Sequence, residues 1–100
     1  MGYQYNLEYE FAVGNPHENN SHYFRVMTEH FYFPNPVSIG EKILIRSLTF
    51  KVDDILHNPE SDDSYLQINN YNYPDLEAAR KDYERVTREL SDIIKTKELV

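Results

Sequence analysis

One hundred residues with 40% hydrophobic and 27% charged residues make one domain of ordinary globular balance, 1–100, which excludes long disorder. The chain has no cysteine, so disulfides, zinc–thiolate centres, iron–sulfur clusters and thiol nucleophiles are excluded. The net charge of −7 is uneven, with ten acids against four bases in residues 1–73, so the clustered cations that direct phosphate binding needs are missing there.

Tyr3, Tyr5, Leu7, Tyr9, Phe11 and Val13 alternate with Gln4, Asn6, Glu8 and Glu10. This strict period of two predicts a long strand with one buried face. Gly14-Asn15-Pro16 stops it, and a loop follows to about Ser21. His22 to Phe33 reads as a second strand whose apolar phase changes between Val26 and Phe31. A bulge near Met27 to His30 would restore one apolar face, since one extra residue reverses the alternation. Pro34-Asn35-Pro36 ends it.

Ile43 and Ile45 mark a short third strand, and Leu48, Phe50 and Val52 a fourth. Neither Arg46 nor Ser47 favours positive φ, so the sequence leaves open whether a turn separates them. Asp53-Asp54 breaks the phase before Ile55-Leu56. Asn58 to Ser64 reads as a polar loop, and Leu66 and Ile68 as a short fifth strand.

A helix is expected from Pro74 to about Thr96. Pro74 suits the first helical position, Asp75 and Glu77 the positive end of the macrodipole, and Lys95 and Lys97 the negative end. Leu76, Ala79, Tyr83, Val86, Leu90 and Ile93 form one apolar stripe, and several opposite charges fall at i,i+4. The stripe suits packing on the chain's own sheet, which favours a monomer. It also has the spacing of a seam in a homodimer.

Pro36-Val37-Ser38-Ile39-Gly40-Glu41, then Ile43-Leu44-Ile45, then Phe50 to His57 resembles a pattern in small SH3-like β-barrel proteins of bacteria and phages. The pattern is a Pro and a Gly-Glu leading into a short hairpin, then a hydrophobic strand before a His. It covers about a quarter of the chain. The resemblance implies a five-stranded, partly open barrel with the helix packed on it, and no defined activity. The expected class is therefore α+β: a small antiparallel five-stranded sheet or such a barrel, with strands within 3–70 and one C-terminal helix.

His17, His22, His30 and His57 could meet Glu18 or Asp54 at a metal, but their spacing matches no ligand motif, and scattered surface residues are expected instead. Asn58, Glu60, Asp62 and Ser64 follow the rhythm of a calcium loop without its glycine or its final Glu. Asp53 or Asp54 could act as a general acid or base, yet such a pair more often turns a strand outward. With no phosphate loop, triad or nucleophile elbow, neither an enzyme nor a cofactor is expected. Asn19-Asn20-Ser21 spells a glycosylation sequon, but the N-terminus does not read as a secretory signal.

What remains is a non-catalytic module inside the cell that binds another protein, possibly a basic one. No membrane span and no direct nucleic-acid contact are expected. Its candidate surface is Glu8, Glu10, Asp53, Asp54, Glu60, Asp62 and Asp63. The alternative is a phage or mobile-element inhibitor whose acidic face blocks a nucleic-acid-binding host protein.

Overall fold

A computed structural model describes residues 3–14 and 23–99, with the side chains of 96–99 left aside. Among the described residues the order is β1 (Tyr3–Ala12), β2 (Tyr23–Thr28), β3 (Phe31–Phe33), β4 (Lys42–Ile45), β5 (Leu48–Lys51), β6 (Asp54–Asn58), β7 (Asp63–Asn70), α1 (Leu76–Glu89) and β8 (Ile94–Leu99). The fold is α+β. The main sheet runs β6-β7-β1-β2-β8, with β3 also paired to β1, and β4-β5 form a separate two-stranded sheet. Among the described residues the main sheet stays open between its edges β6 and β8, with no barrel closure.

β1 is the central strand. Its odd residues Tyr5, Leu7, Tyr9 and Phe11 are buried in the core, as the alternation requires. The bulge expected in the second strand is present. Glu8 faces Met27 in β2 while Tyr5 faces Phe31 in β3, so one extra residue lies between the two pairings. Buried Thr28 and Asn6 stitch this interruption. Leu7 N–H donates to Thr28 Oγ1 at 3.2 Å, and Asn6 Nδ2 donates to the Thr28 carbonyl at 3.1 Å. The phase change then places Phe31 and Phe33 against the core that Phe24 and Val26 enter.

The expected all-antiparallel five-stranded sheet is corrected in two respects. The main sheet is mixed, because β7 runs parallel to β1, with Leu7 beside Leu66 and Tyr9 beside Ile68. Alternation reports which face is buried and carries no sign of a neighbour's direction. Strands β6 and β8 are also additional, because Ile55-Leu56 lacks alternation and Ile94 looks like helix stripe.

Arg46-Ser47 is a tight two-residue turn between paired Ile45 and Leu48, with Arg46 at φ 57°. Left-handed backbone costs a non-glycine residue about 1 kcal/mol. Tertiary contacts offset it: the Arg46 guanidinium grips both carboxylate oxygens of Asp92 and donates to the Glu89 carbonyl at 2.7 Å. That pairing holds the hairpin against the end of the helix.

The helix is shorter than 74–96. Asp75, not Pro74, starts it: Asp75 is the N-cap, and its carboxylate accepts the Ala78 N–H at 2.9 Å. The helix ends at Glu89, a turn takes residues 91–93, and β8 then pairs with β2. Ala79, Val86 and Leu90 of the stripe are buried, while Leu76 is exposed. Within the helix Glu77 pairs with Arg80 and Asp82 with Arg85, both at i,i+3. Helix and hairpin cover the same odd face of β1. Tyr83 stacks on Phe24 at 4.8 Å and meets Phe11 edge-on at 6.1 Å, and Phe50 meets Tyr9 edge-on at 4.7 Å.

Candidate functional site

The even residues of β1 point to the opposite face of the sheet. Strand register lines up Asp54, Gln67, Glu8 and Met27 in one row across β6, β7, β1 and β2. Asn69, Glu10 and Arg25 form the next row. Glu8 and Glu10 lie two residues apart on this face, about 7 Å along the strand. Together with Arg25, Gln67, Asn69 and Tyr71 they line a polar depression of about 240 Å³.

Glu10 is only 6% exposed, and its carboxylate is engaged. The Tyr71 hydroxyl donates to Oε1 at 2.6 Å, and Arg25 Nε lies 3.9 Å from Oε2. Arg25 in turn donates to the Tyr23 hydroxyl at 2.8 Å and lies over its ring. Burial and the bond to Glu10 push the Tyr71 phenol well above its ordinary range, so it remains a donor at neutral pH. Glu10 thus anchors the face, and Glu8 and Asp54 are its more accessible acids.

The Asp53-Asp54 pair forms a bulge. Asp53 N–H donates to the Gln67 carbonyl at 2.9 Å, while Asp54 is the ladder partner of the same Gln67. The Asp53 carboxylate accepts the Asn69 N–H at 2.7 Å, and the Asp54 carboxylate accepts the Ile55 N–H at 2.9 Å. Both acids therefore satisfy backbone donors where the β6–β7 ladder begins.

Glu60, Asp62 and Asp63 lie apart from this group, at the far end of the β6–β7 ribbon, where Asn58 pairs with Asp63. Asp62 adopts positive φ of 59°, a conformation Asp tolerates, and the Asn58 side chain accepts the Glu60 N–H at 3.1 Å. His57 Nδ1 is 2.9 Å from Ser64 Oγ. Among the described residues no three His, Asp or Glu side chains converge as metal ligands would. His17, Glu18, His22 and the sequon Asn19-Asn20-Ser21 lie outside the described residues.

A second polar space lies on the other face, between helix and hairpin. About 180 Å³ is lined by Tyr9, Thr49, Asn70, Tyr73, Asp82 and Arg85, among others. The Tyr73 hydroxyl donates to Asp82 at 2.7 Å, and Arg85 lies 3.5 Å from the other Asp82 oxygen. The fully buried Tyr9 hydroxyl has no hydrogen-bond partner among the described residues, and burial raises its pKa far above the ordinary value. The alternation of β1 points Tyr9 to the buried face and carries no sign of this space. The i,i+3 pair Asp82-Arg85 beside the inward stripe was the available signal.

No family model, curated protein or solved structure matches the chain. No helix among the described residues is long and apolar enough to cross a membrane. From Val52 to Ala79 the chain holds seven acids and neither Lys nor Arg, so the ribbon of β6 and β7 carries no cationic Lys or Arg of its own.

Proposed function

We propose that this chain is a non-catalytic protein-binding module inside the cell, which presents its outer sheet face and the β6–β7 ribbon to a partner bearing basic side chains. The observation that carries the reading is the register that places Glu8 and Asp54 in one row of the outer face, on a ribbon without Lys or Arg. Charge complementarity of this kind accelerates encounter and selects partners. Leu56 and Tyr65, paired on the same face, supply apolar area beside the acids. The same charge suits a partner whose basic surface serves nucleic acid, which would make the chain an inhibitor by occupation.

Affinity capture with the native protein and with the double variant Asp54→Lys, Asp63→Lys tests the proposal. A discrete protein of basic character, released by salt and absent from the variant's eluate, is the expected result. Identical eluates from both would refute it.

A further inference from the structure

The outer edge of β6 is an unpaired strand. Among the described residues β6 is terminal in the sheet, with β7 as its hydrogen-bonded neighbour. Antiparallel ladders alternate, so residues that do not bond across turn both backbone groups outward. Ile55 is such a residue, because its N–H is taken by the Asp54 carboxylate at 2.9 Å. His57, two residues on, faces the same way. Between them Leu56 is 50% exposed, large for an apolar side chain on so short a strand.

We infer that this edge takes an extended segment of a partner chain by strand addition, and that Asp54 makes the edge selective for a segment with a Lys or Arg at the entry position. The inference rests on the protein-binding reading above and specifies its partner as a strand with basic residues. Open edges attract any strand, and proteins guard them with charge. Here the guard is a carboxylate that occupies the first outward donor. An incoming strand must displace it from Ile55 N–H. A neutral strand leaves the displaced carboxylate without a counter-charge, whereas a basic side chain receives it. Neither Lys nor Arg occurs from Val52 to Ala79, so β6 and β7 themselves carry no cation of that kind. The backbone groups and Leu56 supply the docking surface, and the acids choose the occupant.

Three short peptides serve as probes: valine alternating with lysine, with serine and with glutamate. Binding is read by fluorescence anisotropy, and the contact is mapped by amide chemical shifts. The lysine peptide is expected to bind about tenfold more tightly than the serine peptide, with the largest shifts at Ile55 and His57. Asp54→Ala should remove most of that preference by admitting the serine peptide. His57→Pro deletes an outward donor and no ladder bond, so it should keep the native amide spectrum elsewhere and lose binding. Equal binding of all three peptides, no binding, or shifts confined to other elements would overturn the inference. So would undiminished binding by His57→Pro. If that variant still captures the basic partner of the preceding experiment, the edge inference falls and the module reading stands. If native protein captures no such partner, the module reading itself falls.

Discussion

Tyr9 separates two contributions that a single deletion would confuse. Its ring is fully buried, stacked on Phe11 at 5.6 Å and edge-on to Phe50 at 4.7 Å, between the central strand and the hairpin. Tyr9→Ala removes the ring from a closely packed site and should cost about 3–5 kcal/mol. That is a large part of the roughly 5–15 kcal/mol that holds a domain together. The hydroxyl is the opposite case. It is buried without a partner among the described residues, a condition that costs about 1–3 kcal/mol. Tyr9→Phe keeps the ring and removes the unmatched donor, so it should stabilise the fold by about 1 kcal/mol or more. For a domain of this size that is a rise of about 4–8 °C in Tm per kcal/mol. Urea unfolding followed by circular dichroism, with Cm and slope fitted separately, measures both variants. A loss of about 1 kcal/mol in Tyr9→Phe would show the opposite, that the hydroxyl makes a favourable bond in the space beside Asp82 and Arg85.

Three further outcomes follow from the same contacts. Asp75→Ala removes the helix N-cap and should cost about 1 kcal/mol in the same unfolding assay, with Asp75→Asn closer to native. Arg46 holds the Asp92 carboxyl below its ordinary pKa, so their pairing contributes above the unfolded-state value and is lost as pH falls through the folded-state value. Asp92→Asn should therefore lower Tm at pH 7 and leave it nearly unchanged well below pH 3.8, the ordinary value. An equal deficit at both pH values would contradict the assignment. Leu90 is fully buried in the core of its own chain, so Leu90→Asp should unfold the domain, since an unpaired buried charge is not tolerated. A folded variant of half the native mass by sedimentation equilibrium would show instead that the helix stripe is a dimer seam.

Much of the fold was legible because its central strand is so regular. The alternation from Tyr3 to Val13 reports the buried face of β1 directly, and the phase reversal between Val26 and Phe31 locates a bulge to within a few residues. What could not be read has physical causes. Ile94 to Leu99 follows a helix without a glycine to stop it, and Leu90 caps the helix with φ −107°. The end is set by pairing of β8 with β2, a tertiary effect invisible to local propensity. The turn at Arg46 is similar, since Asp92, forty-six residues away in sequence, holds its guanidinium. For the site, the sequence named the acids but not their grouping. Glu8 and Asp54 share a row only because β7 lies between β6 and β1, with Gln67 paired to both. Glu60, Asp62 and Asp63 stay at the tip because the β6–β7 register carries the turn away from that group.

Amide hydrogen exchange of the native protein, free and bound to the basic partner it captures, addresses the recognition surface most directly. New protection is expected at Ile55 and His57 and across the outer-face row around Glu8, with the exposed side of the helix unchanged. Protection confined to the helix, or to the Pro34–Glu41 loop, with β6 exchanging as in the free protein, would contradict it.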